Sequence, residues 1–127
     1  MWQADWVGLR YAELGRGPGA YDCLGLFLAL HAERFGRTLP DPHCRMSEAA
    51  RHQVADSMRA HVVAVPESDA REGDALMFHA RGQLLHVGYA LDGRDMLHIE
   101  DDVAGSVIEC WNRSPWLGRL EGIYRFV

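Results

Sequence analysis

The sequence lacks the features that would place the protein in a membrane or on nucleic acid. No apolar run approaches the roughly 20 residues needed to span a bilayer, and no early segment joins a basic start to an apolar stretch as a signal peptide does. We therefore expect synthesis in the cytoplasm without a signal peptide, and no membrane insertion. Lysine and arginine number 13 against 18 acidic residues, giving a net charge of −5. A chain without a broad basic surface predicts no nucleic-acid partner.

Cysteine is scarce as well. The three cysteines, Cys23, Cys44 and Cys110, form no CxxC pair and leave at least one thiol over, which argues against a disulfide framework. Together with His43 they are suitable zinc ligands by type, but they lack the paired spacing of structural zinc sites. We expect no metal and no cofactor. A lone reactive thiol is therefore the feature to look for.

The length of 127 residues and the hydrophobic content of 48% suit one compact domain, and no repeat or linker interrupts the chain. We expect a single domain over residues 1–127, rich in helix first and in strand after Pro66. The predicted helices run roughly from Ala4 to Leu14, from the Ala20–Cys23 stretch to Gly36 and from Ser47 to about His61; the predicted strands are Ala75 to His79, Leu84 to Leu91, Met96 to Ile99, Ser106 to Trp111 and Gly122 to Phe126. This order predicts an α+β layer fold.

Cys23 lies just inside the start of the second predicted helix, directly after Asp22. Free backbone N–H groups and the helix dipole favour negative charge at such a position, which predicts a lowered thiol pKa and an exposed sulfur. The alternative is a small buried cysteine that packs the helix start. A partner base decides between the two interpretations.

Two of the seven histidines, His86 and His98, lie on adjacent predicted strands around Asp92-Gly93. A two-residue turn would place the two imidazoles on opposite faces of the sheet. A three-residue loop, Asp92 to Arg94, sets Tyr89 against Leu97 on one apolar side and puts both histidines on the other. Because apolar matching selects the three-residue loop, the sequence predicts two imidazoles within hydrogen-bonding distance.

A thiol, a base and a third group that orients the base are what nucleophilic catalysis requires. In this arrangement His86 takes the proton of Cys23, and His98 fixes the tautomer and orientation of the His86 ring. The alternative is that each histidine merely fills its strand. The four tryptophans are a further candidate site, since they would suit a carbohydrate groove, but for Trp111 and Trp116 we expect core or edge packing.

The order of these residues resembles the NlpC-type cell-wall peptidases. The matching segments are Arg10-Tyr11-Ala12-Glu13-Leu14-Gly15, Tyr21-Asp22-Cys23-Leu24-Gly25-Leu26-Phe27, Gly73-Asp74-Ala75-Leu76-Met77-Phe78, His86-Val87-Gly88-Tyr89 and Met96-Leu97-His98. The resemblance implies a papain-like fold in which N-terminal helices pack on a C-terminal antiparallel sheet. It also implies a cysteine peptidase whose partner is the peptidoglycan stem peptide, cut after γ-D-glutamate next to diaminopimelate.

Roles for single residues follow from the same resemblance. Cys23 would be the nucleophile, His86 the general base and His98 the orienting residue, while Tyr11 would support the oxyanion with the backbone N–H of Cys23. Asp22 would lie near the amino end of the substrate. Leu24, the other expected substrate contact, stands where relatives commonly have serine or tryptophan.

A narrower resemblance concerns Leu39-Pro40-Asp41 and the closing segment 119–125, which are similar to the branch encoded among phage and prophage tail genes. It implies incorporation in a virion tail and other phage tail proteins as partners. Two alternatives stay open: a catalytically silent tail-assembly protein with the same fold, and a thiol acyltransferase.

Overall fold

A computed structural model describes residues 1–46, 59–80 and 83–127 of the chain. Within these ranges the fold has one α-helix, α1 (Cys23–Phe35), and six strands, separated by short 3-10 turns. The strands are β1 (Val62–Ala64), β2 (Ala75–Ala80), β3 (Gln83–Ala90), β4 (Asp95–Ile99), β5 (Ser106–Cys110) and β6 (Leu120–Phe126). They form a sheet in the order β1-β6-β2-β3-β4-β5, and every neighbouring pair is antiparallel. The predicted α+β class is confirmed.

Successive side chains along a strand point to opposite faces of the sheet, so the apolar residues form two layers. Val87 and Tyr89 of β3 and Leu97 and Ile99 of β4 face α1, where they join the buried face of the helix. Strand residues that point the other way, together with residues of the adjoining loops, form the second layer on the other side of the sheet. Its buried members are Val65, Leu76, Phe78, Ala90, Met96, Trp111, Trp116 and Ile123. The expected packing of Trp111 and Trp116 is confirmed, since both side chains are buried in this layer.

The central helix follows its sequence signals. Asp22 caps the first turn by accepting a hydrogen bond from the backbone N–H of Gly25 at 2.7 Å. Gly36 ends the helix in the left-handed conformation, φ 63°, which glycine adopts without steric cost. The helix predicted to end at Gly36 is therefore confirmed, and Cys23 is its first residue.

Two other sequence predictions differ from the structure. The helix predicted over Ala4 to Leu14 is wrong: a 3-10 helix covers only Trp2–Trp6. Beyond it the backbone pairs with other segments instead of continuing a helix: the N–H of Gly8 and the C=O of Leu9 both bond to the backbone of Ser106. The three-residue strand β1, which pairs with β6, was not predicted. The third predicted helix, from Ser47, falls largely on residues 47–58, outside the described ranges.

A buried ion pair ties the beginning of β2 to β6. Asp74, which is almost fully buried, accepts hydrogen bonds from the Arg125 guanidinium at 2.8 and 2.9 Å and from the backbone N–H of Arg71 at 2.9 Å. These partners satisfy a charge that would otherwise be costly to bury. Within the described part of the chain, no helix is long and apolar enough to cross a membrane.

Candidate active site

The start of α1 is fixed from two directions. Arg16, in the loop before the helix, donates to Asp22 at 2.8 Å and to Asp41 at 2.9 Å. Asp22 is only 5% exposed, so it serves the helix cap and this ion pair at once. These contacts hold the backbone at Cys23, whose side chain is half-buried.

The environment of the Cys23 thiol differs from the sequence-based expectation. Burial raises the pKa of Cys23 to about 11, and the negative charge of Asp22 raises the pKa further. Hydrogen bonds from the backbone N–H groups of Val87 and Leu24 lower the pKa, but they do not outweigh burial. The prediction of a lowered thiol pKa at the helix start is therefore wrong for the resting protein. The contact with Val87 shows that the sulfur lies against β3, next to His86 along the chain.

His86 and His98 are in contact, as the predicted register of their two strands requires. Tyr89 pairs with Leu97 across β3 and β4, and the N–H of Leu91 bonds to the C=O of Asp95 around a loop of three residues, Asp92 to Arg94. The predicted register is confirmed. His86 Nε2 lies 2.7 Å from His98 Nδ1, and the two side chains are buried. Since Nε2 of His86 is occupied in this way, its Nδ1 is the ring nitrogen left for another partner.

Burial also sets the charge of the histidine pair. It lowers the pKa of His86 to about 3, and the neighbouring His98 and Arg119 lower that pKa further. The pKa of His98 is likewise lowered by burial, against an opposing effect of Glu109. Both imidazoles are therefore neutral near pH 7, which is the protonation state that a general base requires.

One cavity brings Cys23 and His86 together. Its wall includes Tyr11, Cys23, His86, Glu100, Trp116 and Arg119. The cavity therefore joins the first residue of the helix to the middle of β3. A carbonyl compound in this space would meet a thiol, an imidazole and a phenol at the same time.

Tyr11 reaches the cavity from the extended segment before α1, which pairs with Tyr21. Burial raises the pKa of its hydroxyl, and the nearby Cys23 and Asp22 raise it further. The phenol therefore stays protonated at neutral pH and can donate a hydrogen bond to an oxygen next to the Cys23 sulfur.

The two predicted substrate contacts lie elsewhere. Leu24 is 3% exposed and packs in the core between α1 and the sheet, so the structure does not bring it to the cavity. Asp22 is buried at the helix cap and is not part of the described cavity wall either. The side chains with charge at the cavity are instead Glu100 and Arg119.

Sequence reasoning missed two residues that contact the histidine pair. Glu109 Oε2 lies 3.2 Å from His98 Nε2, and the Trp116 indole N–H donates to the same oxygen. The Trp116 ring lies 5.4 Å from that of His86 and 4.9 Å from that of His98, measured between centroids. The register of β5 against β4 is the signal that would have revealed Glu109, because Glu109 pairs with Met96 and so lies diagonally across from His98.

No group of three or more histidine, cysteine, aspartate or glutamate side chains in the described ranges is arranged to hold a metal ion.

The chain is similar to known proteins over most of its length. Residues 8–125 match the NlpC/P60 family. The chain is 28% identical over 116 residues to the murein DD-endopeptidase MepS/murein LD-carboxypeptidase of Escherichia coli K12, a match that covers 91% of this chain and 55% of the relative. The chain thus spans about half the length of the curated relatives that it matches.

Solved structures show the same fold. An NLP/P60 lipoprotein-like protein of Staphylococcus aureus Mu50 aligns with a TM-score of 0.70 at 22% identity, over 97% of this chain and 38% of the other. The NlpC/p60 domain of the peptidoglycan hydrolase SagA aligns with a TM-score of 0.66 at 18% identity, over 97% and 92% of the two chains. The predicted papain-like NlpC fold is confirmed, and the chain belongs to the NlpC/P60 family.

Proposed function

We propose that the protein is a cysteine peptidase that hydrolyses amide bonds in the stem peptides of bacterial peptidoglycan. The observation that carries the proposal is the shared cavity of Cys23 and His86, with His98 2.7 Å behind the His86 ring. The E. coli relative is named a murein endopeptidase, which supports peptidoglycan as the substrate class. Glu100 and Arg119 at the cavity suit a peptide that carries both amino and carboxylate groups.

The proposed reaction runs through an acyl-enzyme. The Cys23 sulfur attacks the carbonyl carbon of the scissile amide while His86 takes the thiol proton, and the Tyr11 hydroxyl stabilises the negative oxygen. The C–N bond then breaks as His86 returns the proton to the leaving amine. A water molecule, deprotonated by His86, attacks the thioester, releases a carboxylate and restores the thiol.

The bond that is cut is a finer proposal. Family resemblance favours the bond between γ-D-glutamate and diaminopimelate, whereas the name of the E. coli relative refers to DD-endopeptidase and LD-carboxypeptidase activities. Incorporation in a phage tail, with other tail proteins as partners, stays a prediction from the segments around Leu39 and 119–125. Synthesis in the cytoplasm without a signal peptide also stays a prediction from the sequence.

The test uses the purified chain with isolated peptidoglycan, with a γ-D-glutamyl-diaminopimelate peptide and with a cross-linked DD dimer, followed by mass spectrometry. We expect new carboxyl and amino ends, and at least about a 1,000-fold loss of rate in Cys23→Ala because the nucleophile is removed. Cys110→Ala is the matched control, since this thiol bonds to Asn112 and does not belong to the described cavity wall.

Other outcomes separate the alternatives. Cleavage in H₂¹⁸O places the label in the new carboxylate if the protein is a hydrolase. A product in which the acyl group is joined to an acceptor amine, instead of ending in a carboxylate, would identify an acyltransferase. A folded wild-type protein that cleaves none of the three substrates would contradict the peptidase proposal and favour a structural role.

A further inference from the structure

The outer end of the histidine pair contacts a carboxylate to which the proposed reaction assigns no role. Glu109 lies on β5 opposite Met96 of β4, which puts it on the same face as His98. Its Oε2 is 3.2 Å from His98 Nε2, while Nδ1 of the same ring is 2.7 Å from His86 Nε2. A continuous path of hydrogen bonds therefore runs from Glu109 to the ring that shares a cavity with Cys23.

The carboxylate determines where the protons on this path lie. An ionised carboxylate only accepts hydrogen bonds, so His98 must carry its single proton on Nε2. Nδ1 of His98 then has a lone pair, and the 2.7 Å contact requires His86 to donate from its own Nε2. A neutral imidazole has one proton, so Nδ1 of His86 is left without one and can accept a proton from a thiol.

Without Glu109 the same contact would permit the reverse arrangement. His98 could donate from Nδ1 to His86 Nε2 across the same distance, and His86 would then carry its proton on Nδ1. A ring in that tautomer cannot take the Cys23 proton. The contact between the two histidines therefore does not choose the productive tautomer by itself.

We propose that Glu109 is a positioning residue that fixes both histidines as Nε2–H tautomers and so keeps Nδ1 of His86 free as the base. This inference rests on the proposed function for its purpose, although the tautomers can be measured without any substrate. Glu109 acts through His98 and is not proposed to touch the substrate.

Trp116 holds the partly exposed Glu109 carboxylate in position beside His98. The Glu109 side chain is 44% exposed, yet the buried indole of Trp116 donates its N–H to the same oxygen that faces His98. An indole N–H is a donor only. It would therefore also turn the oxygen, and not the NH₂ group, of a glutamine at position 109 toward His98. Glu109→Gln is for this reason a variant that keeps the acceptor, and Glu109→Ala is one that removes it.

The direct test is two-bond ¹H–¹⁵N correlation NMR of the histidine rings at pH 7.5, assigned with His86→Gln and His98→Gln variants. We expect Nε2–H tautomers for both rings in the wild type and in Glu109→Gln. In Glu109→Ala we expect a loss of roughly half of the Nε2–H population, because the two arrangements become similar in energy. Glu33→Ala, at an exposed glutamate on the helix, is the control and should leave the spectrum unchanged.

Peptide cleavage gives the second readout. In Glu109→Ala we expect kcat to fall about tenfold with little change in KM, since the His98 ring also loses its orientation, and we expect Glu109→Gln to recover most of that loss. Unchanged ring tautomers in Glu109→Ala would overturn the inference whatever the cleavage rate. If the wild type shows the expected tautomers and their loss in Glu109→Ala but cleaves no peptide, the inference stands and the proposed function fails.

Discussion

At the scale of single residues, burial determines the resting charges of the proposed catalytic pair, Cys23 and His86. The pKa of Cys23 is raised to about 11 and that of His86 is lowered to about 3, in both cases chiefly because the charged form is poorly solvated. At pH 7 the proton therefore resides on the sulfur and the imidazole is neutral. In the proposed reaction, transfer of this proton therefore accompanies attack on the substrate and does not precede it.

This charge state predicts a steep pH dependence for alkylation of Cys23. Because only the thiolate reacts, the rate with iodoacetamide should rise about tenfold per pH unit from pH 6 to pH 9. The measurement is peptide mapping by mass spectrometry after timed alkylation, which resolves Cys23 from the other two thiols. A rate that is independent of pH between 5 and 8 would instead reveal a preformed thiolate–imidazolium pair and contradict the prediction.

Local sequence patterns predicted where Cys23, His86 and His98 lie, but they did not predict the pKa of Cys23. The hairpin loop from Asp92 to Arg94 is short enough for apolar matching to fix the register of His86 and His98. Residues 100–105, which connect β4 to β5, carry no such constraint, and Glu109 was missed for that reason. The raised pKa of Cys23 also escaped prediction, because it depends on β3 covering the helix start, a contact between segments distant in sequence.

At the scale of elements, α1 is positioned by a close approach to the preceding loop. A Cβ atom at Gly25 would lie 1.9 Å from the carbonyl oxygen of Gly15, far inside any van der Waals contact. The same carbonyl accepts a hydrogen bond from the N–H of Asp22 at 3.0 Å. The absence of a side chain at Gly25 therefore lets the loop contact the first helical turn and align Cys23.

Gly25→Ala should consequently destabilise the protein, although alanine is the better helix former by about 1 kcal/mol. We expect a net loss of about 2 kcal/mol in the free energy of unfolding, since the loop must move away from the helix. Urea titration followed by circular dichroism measures it. Gly118→Ala, where an added Cβ meets no atom within 4 Å, is the control. A Gly25→Ala variant more stable than the wild type would show that helix propensity outweighs the contact.

The helices and strands that could be predicted are those whose bounds are marked by residues at their own ends. The central helix has a capping aspartate at its start and a glycine at its end, and both mark its real bounds. The segment from Gly8 to Ala12 is apolar enough for a helix, but its backbone hydrogen bonds go to Ser106 and Tyr21, which no local pattern reveals. The strand β1 is only three residues long and mostly exposed, so it has no clear alternation.

At the scale of the whole molecule, the core on both faces of the sheet holds imidazoles. His86 and His98 lie beside the apolar layer remote from the helix. His31 packs against Phe27, Phe35 and Tyr89 on the helix side, and its Nε2 contacts the carbonyl of Gly73 at 2.6 Å. Burial lowers the pKa of all three histidines. The native fold therefore binds fewer protons than the unfolded chain in mild acid.

This difference predicts a loss of stability as the pH falls below about 6.5, the ordinary pKa of histidine in an unfolded chain. Above that pH the buried histidines are neutral in both states and have no effect. Below that pH these histidines bind protons in the unfolded chain but not in the native state. For His86 the difference persists down to about pH 3. Where a histidine is protonated in the unfolded chain and neutral in the native state, it lowers the free energy of unfolding by about 1.4 kcal/mol for each pH unit of further acidification.

Urea titrations between pH 7.5 and pH 5 measure the effect of the histidines alone, because carboxylates with a lowered pKa change the free energy of unfolding only at lower pH. Glu72, for example, has its pKa lowered by its hydrogen bond to Arg34, so its stabilising effect is lost only below the ordinary glutamate value of 4.5. The double variant His86→Gln/His98→Gln should therefore flatten the decline in stability, and His61→Gln, at an exposed histidine, should leave it unchanged. Equal slopes in the wild type and the double variant would mean that the histidine pair takes up protons in the folded state, and the base would then already be charged in mild acid.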